Sequence, residues 1–329
     1  MSPYVQILRI DHWFKNVFII PGIAFALLAD PSVLDWPLVW SLSVAVVAVC
    51  LAASSNYVIN EILDAPYDNL HPTKKDRAVP SGKVNLKVAW LLWITLGLIS
   101  LVLGFTINHY LGISLLLLLI AGLLYNIPPL RTKDLPFLDV VSEAVNNPIR
   151  LVIGWYATGC TLSPPISLLM CYWALGSFLM AVKRLAEYRY LNNTQLAADY
   201  RSSFKYYNEA RLLVCIMFYA TACAMFAGIF IARYHLELVL CVPPFAVFMA
   251  LYLRVGLKPN SPAQHPEQLM RSRSMILASF VLTAILCFSL WLDSPWLRRL
   301  FKPTINPQLP VNNWFDRHSN THDLIAPEE

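Results

Sequence analysis

Long apolar runs recur from one end of this chain to the other, separated by short polar stretches that hold most of its charge. The runs extend over roughly 18–25 residues, enough helix to cross a hydrocarbon core of ~30 Å. The pattern predicts about nine spans, at roughly 17–34, 38–60, 86–107, 110–126, 138–159, 165–183, 212–233, 237–255 and 274–293. Pro128, Pro129 and Pro136 leave little room between the fourth and the fifth. A closed barrel, the other way to cross a bilayer, needs short alternating strands, and these runs are continuous. The expected fold class is therefore an all-α polytopic membrane protein. Residues 1–16, MSPYVQILRIDHWFKN, mix charge with Trp13 and Phe14. They predict an interfacial segment ahead of the first span rather than a signal peptide. Residues 17–293 then form the transmembrane domain and 294–329 a C-terminal tail.

Composition agrees with this reading. Of 329 residues, 57% are hydrophobic and only 14% charged, against about 25% charged in an ordinary soluble domain. The seven cysteines are scattered singly, without CxxC or Cys/His pairs, so neither a disulfide framework nor a zinc site is indicated. Nothing in the sequence points to nucleic acid, and a homo-oligomer is left open.

Charge sorts by side. With nine spans, the N-terminus and the connections 2–3, 4–5, 6–7 and 8–9 share one face. That face carries Arg9 and Lys15, then Lys74, Lys75, Arg77, Lys83 and Lys87, then Arg131 and Lys133. Further along it carries Lys183, Arg184, Arg189, Arg201, Lys205 and Arg211, then Arg254, Lys258, Arg271 and Arg273. The opposite connections hold little beyond Arg233. By the positive-inside rule the basic face is cytoplasmic. Arg298, Arg299 and Lys302, which follow the last span, run against the pattern.

Topology alone does not explain the carboxylates in NEILDAPYDNLHPTKKDRAVPSG, residues 60–82. Asn56, Asn60, Asp64 and Asp68 recur every fourth residue, which on a helix makes one slowly drifting stripe. Pro66 is expected to break or kink that helix near Ala65. A single acid at a solvated helix end would mean nothing. Several oxygen donors at the mouth of a buried span are costly unless used. Without His or Cys they suit a hard cation, and Mg²⁺ takes one or two carboxylates together with substrate phosphate. Lys74, Lys75 and Arg77 follow at once and suit phosphate oxygens. The stretch predicts a Mg²⁺–diphosphate site at the membrane face.

The run Asn60-Glu61-Ile62-Leu63-Asp64-Ala65-Pro66-Tyr67-Asp68 resembles the NDxxDxxxD motif of the UbiA-type prenyltransferase superfamily, with Glu61 in place of its first Asp. The resemblance implies nine transmembrane helices around a central cavity with cytosolic catalytic loops, and a Mg²⁺-held diphosphate substrate. It also implies metal-ligand roles for Asn60, Asp64 and Asp68. Quinone-type members carry a second DxxxD motif on the 6–7 connection. Here KRLAEYRYL (183–191) offers Glu187, and YRSSFKYY follows with Arg201. This is similar to the branch that transfers phosphoribose to decaprenyl phosphate, although Leu185 stands where that motif has Tyr. HPTKK (71–75), PSGKV (80–84), DHWFKN (11–16) and LDVVSEAVNNPIRLVIG (138–154) match as well.

For this branch the resemblance implies a membrane transferase in a bacterial inner membrane. Its donor would be phosphoribosyl diphosphate, its acceptor a polyprenyl phosphate, and its leaving group pyrophosphate. Asp64, Asp68 and Glu187 are the expected catalytic residues. Lys15, Lys74, Arg77, Arg131, Lys133, Lys183, Arg184 and Arg201 are candidates for substrate phosphate, although Lys183, Arg184 and Arg189 also fit an ordinary interfacial helix end. Glu143, Asn146 and Arg150, spaced by three and four, share one face of the fifth span. They either form a structural Glu143–Arg150 pair or line the cavity. His318 and His322 lie in a polar tail where disorder is expected, and 257–270 reads as a loop without chemistry. A prenyl-diphosphate donor with an aromatic acceptor, or a transporter, are the alternatives. The first would need a second DxxxD, and the second would show inverted repeats.

Overall fold

The computed structural model describes residues 2–34, 36–69, 74–191, 202–259, 261–264 and 272–301. All regular structure among them is helical. In chain order the α-helices are α1 (Pro3–Gln6), α2 (Ile20–Ala29), α3 (Trp36–Asp68), α4 (Leu86–Ile107), α5 (His109–Asn126), α6 (Leu138–Ala144), α7 (Asn146–Ala157) and α8 (Ile166–Leu191). They continue with α9 (Glu209–Tyr234), α10 (Val242–Gly256), α11 (Arg273–Trp291) and α12 (Pro295–Leu300). Eight helical stretches among the described residues are long and apolar enough to cross a membrane. The protein is an integral membrane protein.

The fifth expected span, at 138–159, is not one of these eight, because it is divided at Val145 into α6 and α7. Pro148 explains the division, since it cannot donate to the Ala144 carbonyl and its ring crowds that oxygen. The two pieces still run the thickness of the bundle. Thr132, just beyond the end of α5, bonds Ser142 at one face (2.9 Å), and Asn108, ahead of α5, bonds the Tyr156 carbonyl at the other (2.8 Å).

Near the N-terminus, Pro3–Ala29 forms one candidate crossing, which takes in the segment expected at the interface. Its middle, Ile10–Ile19, is a 3-10 helix. Pro21 lacks the N–H that would reach the Val17 carbonyl, which takes the Ile20 N–H instead. Polar His12 and Asn16 stay inside the bundle, both buried. Asn16 donates to Cys50 Sγ of α3 (3.2 Å) and accepts from Arg150 of α7 (3.0 Å).

Small residues let the helices approach closely, as expected where lipid supplies no drive for association. A Cβ on Gly22 would lie 1.9 Å from the Leu151 carbonyl oxygen, and one on Gly154 would lie 2.0 Å from that of Ile19. Backbone therefore meets backbone between α2 and α7. Ser100 and Ser55 donate across to the Ala48 and Trp93 carbonyls (2.8 and 2.9 Å), tying α4 to α3. Ala45, Ala48, Val49, Leu111, Leu115 and Ile153 form one buried core. A second gathers Phe178, Val182, Leu185, Leu212, Ile216 and Tyr252 from α8, α9 and α10. Leu91, Leu98 and Val102 of α4, and Val214, Met217 and Phe218 of α9, are exposed apolar faces suited to lipid.

Candidate functional site

The ends of α3, α5 and α8 come together on one side of the bundle around a cavity of about 280 Å³. Its wall includes Asn56, Asn60, Asp64 and Asp68, so the four-residue stripe does face one space. Helix α3 continues through Pro66 to Asp68 rather than breaking near Ala65. Pro66 stands in the last turn, where the helix loses only the bond to Ile62, and Asn69 N–H returns to the Ala65 carbonyl (3.2 Å). The motif is thus held on a helix end and not in a loop.

Each carboxylate of the stripe meets cations from a neighbouring connection. Asp64 Oδ1 accepts from Lys133 Nζ (2.5 Å) and from an Arg131 terminal nitrogen (2.9 Å). Asp64 Oδ2 accepts from Asn60 Nδ2 (3.2 Å), which also donates to Asn126 Oδ1 (2.6 Å). Asp68 accepts from Arg77 (2.7 Å). Arg131 further binds Asp134 (2.7 Å) and lies 4.8 Å from the Tyr67 ring centroid. Lys133 also reaches Asn126 Oδ1 (2.8 Å).

Glu61 points elsewhere. It is buried, and its Oε1 accepts the Val79 N–H (3.1 Å). One residue from Asn60 is about 100° around a helix, which turns Glu61 off the stripe. Its charge clamps the backbone of the loop that carries Arg77.

The other wall is built from α6, α7 and α8. Glu143, Asn146, Arg150, Lys183, Arg184 and Glu187 all line the cavity. The structural Glu143–Arg150 pair is not formed: Arg150 turns its Nε to Asn16, and no ion pair joins it to Glu143 among the described residues. The Oδ1 atoms of Asn56 and Asn146 are buried without a hydrogen-bond partner in the protein. Arg184 is nearly inaccessible and is held between two acids, with Nε to Asp139 (2.7 Å) and a terminal nitrogen to Glu187 (2.6 Å). Its guanidinium therefore bridges the two acids. Asp139 is fully buried and also accepts from the Tyr207 hydroxyl. Burial and the Asp139 charge keep that phenol protonated well above its ordinary range.

Lys15 is not among the lining residues, but its Nζ lies 5.9 Å from the ring centroid of Tyr57, which is. Lys74 begins a short 3-10 turn, Lys74–Asp76. Arg201, His318 and His322 lie outside the described residues. Sequence reasoning missed Asn16, Asn126, Asp134, Asp139 and Tyr207. Asp139 had a signal, because 139, 143, 146 and 150 continue a single helical stripe.

A cation placed here would find hard oxygens, from Asp64, Asp68 and the amide of Asn60. Among the described residues no three His, Cys, Asp or Glu side chains converge as a ready-made cage. Two carboxylates and an amide fit Mg²⁺, which keeps waters and takes substrate phosphates rather than demanding an all-protein shell.

The protein is thus a polytopic helical bundle with a charged, oxygen-lined cavity at one face. The chain belongs to the UbiA prenyltransferase family, whose profile matches residues 18–274. It is 30% identical over 232 residues to the decaprenyl-phosphate phosphoribosyltransferase of Mycolicibacterium smegmatis, covering 70% of each chain. It is 30% identical over 226 residues to the protein of the same name from Mycobacterium tuberculosis, covering 68% of this chain and 72% of the relative. A UbiA homolog from Archaeoglobus fulgidus, solved bound to GPP and Mg²⁺, superposes with a TM-score of 0.66 at 16% identity. That comparison covers 88% of this chain and all of the other, and it speaks for the fold.

Proposed function

We propose that this chain transfers 5-phosphoribose from phosphoribosyl diphosphate to a polyprenyl phosphate, with Mg²⁺, releasing pyrophosphate. The observation that carries the reading is the chemistry of the cavity wall. Of its 22 residues, only Ala53, Gly122 and Met180 lack a hydrogen-bonding side chain, and six are Lys or Arg. A prenyl diphosphate donor would react at the carbon that begins its apolar tail, and so needs an apolar wall beside the reacting centre. A polyprenyl phosphate acceptor need bring only its phosphate head into this cavity. A phosphorylated sugar brings charge at both ends and hydroxyls between. Two relatives at 30% identity bearing the phosphoribosyltransferase name point the same way.

In this reading Asp64, Asp68 and Asn60 would hold the metal, whose chemistry would be to neutralise charge on the departing diphosphate. Arg77, Arg131 and Lys133 bind phosphate oxygens beside it. Lys183 and Arg150, on the facing wall, serve the sugar 5-phosphate or the lipid phosphate. The carboxylates of Glu187 and Glu143 face the sugar, where positive charge develops at the anomeric carbon as the diphosphate leaves. The lipid phosphate is already an anion and attacks without a strong base, so positioning and electrostatics supply the catalysis. The basic face, which carries the cavity, is cytoplasmic.

The test is turnover by purified protein with Mg²⁺ and a polyprenyl phosphate, comparing radiolabelled phosphoribosyl diphosphate with radiolabelled farnesyl diphosphate plus an aromatic acceptor. Label from the sugar donor entering lipid supports the proposal. Consumption of farnesyl diphosphate with the sugar donor untouched overturns it.

A further inference from the structure

We infer that the face of the bundle opposite the cavity carries a binding surface for anionic phospholipid headgroups, centred on α12 (Pro295–Leu300). The charges that run against the positive-inside pattern lie here. Met275, in the first turn of α11, packs in one buried core with Leu185 and Phe204 at the cavity end. The other end of α11, Trp291, therefore reaches the far face. There the His235 ring nitrogen Nε2 stands 3.3 Å from the Leu290 carbonyl oxygen, and the Ser294 N–H donates to buried Glu237 (3.3 Å). These bonds hold α12 back against the connection between α9 and α10, with Leu297 turned inward.

Trp296, Arg299 and Leu300, three and four residues apart along α12, share one outward face. Trp296 and Leu300 are 69% and 63% exposed, and Trp291 is 85% exposed. Tyr234 and Phe301 extend this apolar and aromatic rim. Exposed tryptophan and tyrosine belong at the level of the headgroups, where one side of the ring is apolar and the other wet. The charge beside them is positive. Arg233 ends α9 and Arg298 and Arg299 lie in α12, while Asp293 is the carboxylate between α11 and α12. Glu237 is already taken by His235 (3.0 Å). Arg233 and Arg299 are exposed and make no ion pair among the described residues. A guanidinium held at headgroup depth is a fork for phosphate oxygens, and a lipid with net negative charge neutralises it. The anionic headgroups of that leaflet thus supply the counter-charge that the chain does not.

The experiment places the photo-crosslinking residue p-benzoylphenylalanine at position 300 of the full chain, reconstituted in vesicles of phosphatidylglycerol and phosphatidylcholine in equal amounts. Lipid captured at that position is identified by mass spectrometry, so the basic residues around the cavity do not contribute to the signal. Phosphatidylglycerol should be captured at least about fivefold over phosphatidylcholine, the preference that one basic residue near an anionic surface supports. In the same chain carrying Arg233→Gln, Arg298→Gln and Arg299→Gln the ratio should fall close to one, with folding unchanged by size-exclusion chromatography. High salt should lower the wild-type ratio in the same direction. Equal capture of the two lipids by the unmodified arginines, or an undiminished preference in the glutamine variant, overturns the proposal. So does a crosslink to a second copy of the chain, which would make this face a protein interface, or no lipid crosslink at all, which would place α12 in water.

Discussion

Replacing Asp139 removes a group that no substrate is expected to touch, yet the structure predicts a large effect. Its side chain is fully buried, 2.7 Å from Arg184 Nε, and it accepts from the Tyr207 hydroxyl. In Asp139→Ala, Arg184 is left 3% exposed with Glu187 as its one ion-pair partner among the described residues. Unit charges about 4 Å apart interact by ~4 kcal/mol at an effective dielectric of about 20. Truncating one partner of a buried pair costs about 3–5 kcal/mol. Because Glu187 remains at 2.6 Å, we expect about 3 kcal/mol. Asp139→Asn keeps the shape and one acceptor oxygen for Arg184 but loses the charge and turns an NH2 toward the Tyr207 hydroxyl. It should cost at least about 1 kcal/mol, the difference between a charge-assisted and a neutral hydrogen bond. Tyr207→Phe should cost about 1.5–3 kcal/mol. The double variant Asp139→Ala/Tyr207→Phe should fall short of the sum, since the two residues share one contact. Thermal unfolding in detergent, read by tryptophan fluorescence, ranks the variants. Turnover should fall with stability in Asp139→Ala, because Arg184 then pulls Glu187 out of place. Unfolding of Asp139→Ala at the wild-type temperature would refute the buried cluster.

Asp64→Asn or Asp68→Asn should abolish transfer at saturating Mg²⁺ while the protein still folds, as judged by size-exclusion chromatography alongside the turnover assay. Arg77→Gln should raise the donor KM about ten- to a hundredfold, the worth of one charge-assisted hydrogen bond, and leave the lipid KM nearly unchanged in steady-state kinetics. Glu187→Gln should cut kcat with phosphoribosyl diphosphate, and Arg201→Ala should weaken binding of a phosphate-bearing substrate, measured by single-turnover rates and by binding titration. The Tyr207 phenol is held protonated above its unfolded pKa of ~10, so its contribution to stability is complete below that pH and lost as pH rises through the folded value. Unfolding temperature should therefore fall above about pH 10 more steeply in wild type than in Tyr207→Phe.

Much of this site was legible along the chain. The Asn56, Asn60, Asp64, Asp68 stripe depends on helical periodicity alone, and the cations that meet it stand in the adjoining connections. What stayed hidden required knowing which helices touch. Asn126 looks like the polar end of an apolar run until Asn60 and Lys133 are seen to meet on it. Asn16 lies 134 residues from Arg150 and takes the bond that a local reading offers to Glu143. Glu61 keeps the charge of the motif's first acid, but only the path of the following loop shows that it holds Val79 rather than facing the cavity. Pro66 misled in the other direction. Two residues from the end of α3 it removes one hydrogen bond, which a last turn tolerates.

The most direct test of the transfer itself is a pair of phosphoribosyl diphosphate preparations, one labelled in the 5-phosphate and one in the diphosphate. Each is incubated with purified protein, Mg²⁺ and decaprenyl phosphate. The account predicts that the 5-phosphate label moves into the organic phase with the lipid, while the diphosphate label stays in water as pyrophosphate. Diphosphate label in the lipid, or neither label there, would contradict it.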